Sequence, residues 1–193
     1  MVRATRATTY LESEIKTLIF KEIAFSDQLL QDSTGYPLQY KAHETRKAIK
    51  RMRALLNLLK PLLDLKVYFK LDSLLSKASH NLAEIRDAQA ISEIFQELID
   101  ENSSCFTLKT INYLAEQLSV REKQTLPKQD AIVQCRFHLQ HVQSYLHSHS
   151  LAELTPQLLT RYIRKSFISS ANSYRDAFYT LDTELIHKWR KTL

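Results

Sequence analysis

The sequence predicts an all-α fold, and three observations lead to that prediction. The 193 residues include one glycine, Gly35, and four prolines, although glycine averages about 7% of globular chains. Many-stranded folds, Rossmann fingerprints, P-loops and nucleophile elbows all need glycines in their turns. Apolar residues also recur every three or four positions over long stretches. We therefore expect about eight helices, packed as antiparallel bundles.

The predicted helices of the first half follow this periodicity and its interruptions. A capping box of Thr9 and Glu12 is expected to start the first helix. The segment around Gly35 is the clearest loop, and Pro61 ends the second helix. The four helices predicted in this half cover about residues 9–31, 38–60, 66–82 and 83–101.

The second half has weaker boundaries, which are set by polar loops and proline. Thr155 followed by Pro156 is typical of a helix N-terminus, and Asp182 or Thr183 is expected to cap the last helix. The helices predicted here cover about residues 105–123, 130–147, 155–179 and 182–193. We assign residues 1–125 to a first helical bundle and 126–193 to a second, within a single domain.

Cysteine usage and hydropathy favour an intracellular chain. Cys105 and Cys135 form no C-x-x-C pair, so we expect both to be reduced thiols in or near the core. No apolar run approaches the length of a membrane span, and no signal-peptide core follows the N-terminus. The sequence thus predicts a soluble, cytoplasmic protein.

Positive charge is concentrated in two segments rather than spread along the chain. Residues 41–60 contain seven cations and one acid, a net charge of +6, which equals the formal charge of the whole chain. Residues 161–193 contain seven cations and three acids, a net charge of +4. Concentrated charge of one sign indicates a polyanionic partner.

The second predicted helix, which we label α2 (about residues 38–60), separates its basic side chains from its apolar ones. On a helical wheel the basic positions span about 120°, and the apolar residues occupy the opposite face. We call this row the α2 stripe; its members are His43, Arg46, Lys47, Lys50 and Arg53, with Arg51 at its edge. A solvated helix face usually mixes charges, because like charges three or four residues apart repel each other. A face without acids therefore favours phosphate binding through charge-assisted hydrogen bonds.

The pattern H-x-x-R-K occurs twice. The first copy starts at His43 and the second at His187, where it continues with Arg190 and Lys191. The helix before the second copy adds Arg161, Arg164 and Lys165. The sequence therefore predicts two basic helices that line a groove of positive potential.

These residues resemble the signature of CHAD domains, the conserved-histidine α-helical domains. The segment from His43 to Arg53 is similar to the family's first motif at every basic position, and Arg86-Asp87 resembles its second landmark. The copy at His187 is similar to the third motif. Residues 95–155 share only the helical pattern.

The resemblance implies two pseudo-symmetric bundles around a basic cavity that binds inorganic polyphosphate without catalysis. Under this interpretation one wall is the α2 stripe and Arg51, and the other is formed by the later basic residues, with Arg86 as a further contact. The later group is Arg161, Arg164, Lys165, His187, Arg190 and Lys191. The family motif continues beyond the residues present after His187, so we expect the second bundle to be incomplete. Association with polyphosphate granules or with a polyphosphate- or triphosphate-metabolising enzyme stays open.

Three other functions were weighed against polyphosphate binding. Single-stranded RNA binding usually needs aromatic platforms, and Tyr162 and Trp189 are better explained as packing residues. A metal site at His138 and His141 lacks a supporting carboxylate. An enzyme would need paired carboxylates, a metal site or a phosphate-cradling loop, and no such pattern lies beside the basic segments. We therefore expect a non-enzyme with no cofactor, no bound metal and no membrane partner, and keep RNA or metal binding as alternatives.

Overall fold

The structure is a computed structural model that describes most of the chain. The described residues are 2–31, 33, 35–102, 106–125, 129–151, 155–180 and 182–190. Within these ranges the side chains of residues 2–9, 88, 89, 121–125, 129, 187, 188 and 190 lie outside the description.

The described residues are almost entirely helical and include no strand, which confirms the all-α prediction. The helices are α1 (Val2–Leu29), α2 (Leu38–Leu59), α3 (Leu65–Asn81), α4 (Ala83–Glu101), α5 (Leu108–Thr125), α6 (Gln129–Ser148), α7 (Pro156–Thr180) and α8 (Thr183–Arg190). A short 3-10 helix, Lys60–Leu62, follows α2 and contains Pro61, the residue predicted to end that helix. None of the described helices is both long enough and apolar enough to cross a membrane.

The predicted caps of the last two helices are confirmed. The Thr155 hydroxyl accepts the backbone N–H of Leu158 at 3.2 Å, and the Asp182 carboxylate accepts that of Glu184 at 2.7 Å. Each side chain satisfies a backbone donor that the first helical turn leaves free.

The capping box predicted at Thr9 is wrong, because α1 begins at Val2 and passes through that position. Glu12 serves another purpose. Its carboxylate accepts the Leu151 N–H at 3.0 Å and the Ser150 hydroxyl at 3.1 Å, and it pairs with Lys16 at 2.9 Å. Burial acts to raise the pKa of Glu12, but these contacts outweigh it and lower the pKa. Glu12 thus fits the local pattern of a helix cap, but it makes a long-range contact instead.

Helices α1, α2, α3 and α6 form a four-helix core. In this core α1 packs on α2, α2 packs on α3, α3 packs on α6, and α6 packs on α1. Each helix contributes fully buried apolar side chains, among them Ile19, Met52, Leu71 and Leu139. Because the buried residues form one continuous cluster, the hydrophobic effect holds the four helices as a unit.

Helix α6 is fixed to α1 by polar contacts as well as by packing. The Arg136 guanidinium makes two hydrogen bonds to Asp27, at 2.7 and 3.3 Å, and these bonds hold the pKa of Asp27 below its usual range. We predicted that α6 belongs to the second bundle; in the structure it shares the core of α1, α2 and α3. The pseudo-symmetric division into two bundles stays a prediction.

The other four helices form two pairs that attach to this core. Helix α4 packs on α5 and α7 packs on α8, and both α4 and α7 contact α2. Leu159 of α7 packs against the core cluster, while most α7 side chains are exposed. Helix α2 is therefore the element that meets the bundle and both helix pairs.

Candidate functional site

Helix α2 presents the predicted basic stripe away from the core. Its buried residues include Ala48, Ile49, Met52 and Leu56, which recur at helical spacing on one face. Burial of that face fixes the rotation of the helix, so the stripe residues lie at the surface or at the edges of neighbouring helices. The rotation thus follows from hydrophobic packing and needs no contribution from the basic residues.

Two arginines at one edge of the stripe bind α3. Arg46 donates from Nη1 to the backbone oxygen of Ser79 at 2.6 Å. Arg53 makes two hydrogen bonds to the Asp72 carboxylate, at 2.8 and 3.3 Å. A forked guanidinium contact fixes the side chain more firmly than a single ion pair does. These arginines therefore hold α2 against α3 as well as carrying positive charge.

Arg51 makes the equivalent contact to α1 on the other edge of α2. Its Nε and Nη2 donate to the two carboxylate oxygens of Glu22, at 2.8 and 2.7 Å. The hydrogen bonds to Glu22 raise the pKa of Arg51, so it stays charged at any physiological pH. Helix α2 is thus held by guanidinium groups on both flanks.

The middle of the stripe carries His43, Lys47 and Lys50. Glu44 lies beside two of them, with its carboxylate 2.9 Å from the Lys47 ammonium and 3.8 Å from His43 Nε2. Lys50 is exposed and makes no ion pair or hydrogen bond with any described residue. These groups are the accessible donors that a ligand lying along α2 would meet first.

Arg86 lies on α4 and pairs with Glu93 at 3.0 Å. Its side chain is 24% exposed, so little of its charge faces solvent. Arg86 therefore has a partner within its own helix. Its contact with a ligand stays a prediction.

The predicted cations of α7 are exposed. Arg161, Arg164 and Lys165 make no ion pair with a described residue. Two of them border a cavity of about 470 Å³, which is lined by Pro156, Gln157, Thr160, Arg161 and Arg164. All of these residues belong to α7, so the cavity has no opposing wall from α2.

The two basic helices are neighbours, because α2 and α7 pack on each other. The segment that leads into α7 contacts α1, because the Leu151 N–H donates to the Glu12 carboxylate. On α1, Glu12 lies N-terminal to Glu22, the partner of Arg51. Helix α1 runs antiparallel to α2, so α7 begins toward the C-terminal end of α2. A single cleft with the α2 stripe on one wall and the later basic residues on the other stays a prediction. The side chains of His187 and Arg190, and Lys191 as a whole, lie outside the described residues.

Lys41 is one of the seven cations of residues 41–60, but its environment differs from that of the stripe. Lys41 is buried, and its ammonium donates to the backbone oxygen of Gln31 at 2.8 Å. A cation at the C-terminal end of α1 satisfies a free carbonyl and complements the helix dipole. In the sequence, the one sign of this role is that Lys41 lies close to the loop between α1 and α2.

The histidine-rich helix α6 shows packing rather than a ligand cluster. His141 lies against the Phe137 ring at 4.2 Å between centroids, and His147 stacks on Phe20 at 4.5 Å. Burial, aided by Lys77 and His141, lowers the pKa of His138. Among the described residues no three His, Cys, Asp or Glu side chains are placed to hold one metal ion.

Cys135 is a free, buried thiol on α6, and burial raises its pKa to about 12. A thiol with that pKa is almost fully protonated at neutral pH and therefore unreactive. Cys105 lies outside the described residues.

Comparison with known proteins gives one match. Residues 38–193 match the family model described as CHAD domain. Neither a curated protein nor a solved structure matches the chain.

Proposed function

The chain belongs to the CHAD family, and from this membership and the α2 stripe we propose that it binds inorganic polyphosphate. The observation that supports this most is the row of half-buried His43 and exposed Lys47 and Lys50, which lies between guanidinium groups that are fixed by carboxylates of neighbouring helices. Polyphosphate is a regular polyanion without bases. A row of phosphate donors along about 10 Å of helix suits such a ligand.

The proposed role is binding rather than catalysis. The carboxylates nearest the stripe are each paired with a cation: Glu22 with Arg51, Asp72 with Arg53 and Glu44 with Lys47. Each of these carboxylates already accepts hydrogen bonds from its paired cation, so its oxygens are not free to take a proton from a substrate. The contacts of Arg46, Arg51 and Arg53 position charge for a ligand, and they need no reaction to explain them.

Single-stranded RNA stays the alternative ligand, and the described aromatic residues near the site weigh against it. Trp189 packs against Tyr174, with 4.9 Å between ring centroids. Trp189 therefore takes part in joining α8 to α7, which favours a packing role for this ring over base stacking.

A charge-reversal pair tests the proposal. Lys47→Glu with Lys50→Glu should weaken polyphosphate binding at least tenfold and flatten its salt dependence, because each lost phosphate contact reduces counterion release. Neither lysine makes a hydrogen bond or ion pair with a described residue of another helix, so the far-UV circular dichroism and the unfolding midpoint should stay unchanged. Fluorescence anisotropy with labelled long-chain polyphosphate measures the affinity.

The matched control is Lys66→Glu with Lys70→Glu, which reverses two exposed lysines on α3 and changes the net charge equally. The proposal requires the control pair to bind much more tightly than the stripe pair. Equal losses in the two pairs would mean that net charge, and not the stripe, attracts the polymer.

A further inference from the structure

Helix α7 exposes an apolar row as well as its cations. Phe167 is 74% exposed and Phe178 is 61% exposed, and Ile163 and Tyr174 lie on the same side at about half exposure. At 100° per residue the four fall within an arc of about 60°, over roughly 22 Å of helix. Large apolar side chains in a continuous exposed row are unusual on a surface that faces only water.

A second exposed apolar face lies on the α4–α5 pair. Ile94 and Leu98 are one turn apart on α4, and Tyr113 and Val120 are two turns apart on α5. All four are exposed. Their spacing puts each pair on one side of its helix, so α4 and α5 each expose a pair of apolar side chains.

The two faces are bordered by opposite charges. Helix α4 contains six acidic residues and one arginine, and Glu97 and Glu101 beside its apolar residues are exposed and unpaired among the described residues. Helix α7 contains four basic residues and one acid, and Arg164 and Arg175 beside its row are likewise exposed. Charges of opposite sign around two apolar faces favour contact between them and disfavour contact of either face with itself.

The described part of the chain does not join these faces, because α4–α5 and α7–α8 have no extensive contact with each other and pack separately on the core, α4 on α2 and α3 and α7 on α2 and α1. We propose that they join between two copies of the chain. In this reciprocal dimer α7 of each copy packs on the α4–α5 pair of the other. The inference does not rest on polyphosphate binding.

The available area is sufficient for a stable dimer. If each of the eight exposed apolar residues loses about 100 Å² of accessible surface, the contact covers roughly 800 Å² per partner, a standard protein interface. The arrangement has two identical contacts related by a two-fold axis, so it closes and does not propagate into fibres.

Analytical ultracentrifugation of the full chain, without polyphosphate, tests the proposal. We expect a dimer at micromolar concentration. Phe167→Ser with Phe178→Ser should raise the dissociation constant at least tenfold without loss of helicity. Phe69→Ser is the control, since Phe69 on α3 is also an exposed aromatic, and this variant should remain a dimer.

Mixing two defective variants tests the reciprocal geometry. Ile94→Ser with Leu98→Ser removes the α4 face, and this variant should be monomeric, as should the Phe167/Phe178 variant. An equal mixture of the two retains one intact contact per pair, so it should form heterodimers that neither variant forms alone.

Three results would overturn the proposal. A monomeric wild-type chain at 100 μM would mean that no second copy covers these faces. A dimer that survives the loss of Ile94 and Leu98 would mean that α7 packs on another surface. Failure of the mixture to form heterodimers would exclude the reciprocal arrangement.

Discussion

Helices α2 and α7 both carry a row of cations, and the two rows differ in what surrounds them. Three arginines of α2 are fixed: Arg46 to the Ser79 backbone, Arg51 to Glu22 and Arg53 to Asp72. The cations of α7 are exposed and have no such partners among the described residues. The same kind of sequence pattern thus gives one anchored row and one free row.

This difference assigns the two rows different physical roles. Anchored side chains lose little conformational entropy when a ligand binds, so they favour a defined spacing of phosphates. Their ion pairs also cancel part of their charge. Free side chains keep their full charge but must be ordered on binding, and they are screened by salt. We therefore expect α7 to contribute long-range attraction and α2 to determine which polyanion is preferred.

Reversal of the free row should have the largest effect. Arg161→Glu, Arg164→Glu and Lys165→Glu together should weaken polyphosphate binding at 0.05 M salt by about a hundredfold or more, because each reversal replaces an attraction with a repulsion. The loss should shrink steeply as salt is raised to about 0.3 M. Anisotropy titrations over this range measure both effects. A loss of affinity that does not depend on salt would contradict a role in general attraction.

Removal of one anchored arginine should lower the free energy of unfolding, whereas removal of a free arginine should leave it almost unchanged. Arg53→Ala deletes the double hydrogen bond to Asp72 and should lower the free energy of unfolding by about 1 kcal/mol, at the upper end for a partly exposed ion pair. Arg164→Ala is the matched control and should change it by less than about 0.5 kcal/mol. Urea unfolding followed by circular dichroism measures both. Equal stability of the two variants would remove the distinction between anchored and free cations.

A fourth anchored arginine, Arg136 on α6, gives the distinction a pH dependence. Because the folded pKa of Asp27 is lowered, its ion pair stabilises the fold above the unfolded pKa of about 4, and this stabilisation is lost as the pH falls through the folded pKa. Asp27→Asn should therefore cost about 1 kcal/mol at pH 7 and progressively less below pH 4. Unfolding curves at pH 7, 5 and 3 measure the trend, and a difference that grows toward low pH would contradict it.

The smallest expected effect concerns the acid within the stripe. Glu44→Gln removes the carboxylate 2.9 Å from the Lys47 ammonium and should tighten polyphosphate binding by about two- to fivefold, since a surface pair contributes up to about 1 kcal/mol. Glu14→Gln changes the net charge equally on α1 and serves as the control. Unchanged affinity of the Glu44 variant would mean that Lys47 does not touch the ligand.

The sequence predicted helix positions and the stripe well, because both depend on local periodicity. It failed where a residue acts over a long distance. Glu12 matched a capping box but binds the backbone before α7. The charge count of residues 41–60 likewise gave no sign that Lys41 is buried against the C-terminal end of α1. The partners Glu22 and Asp72 could not have been identified either, since nothing local distinguishes a carboxylate that packs beside an arginine from one in solvent.

The most direct test of the central claim is a competition titration at about 0.15 M salt, near physiological ionic strength. Labelled long-chain polyphosphate bound to the chain would be displaced by unlabelled polyphosphate, heparin, single-stranded RNA or duplex DNA. We predict that long polyphosphate displaces the label at least tenfold more effectively than the other polymers. Equal displacement by all of them would contradict a polyphosphate site on α2 and would leave only a general basic surface.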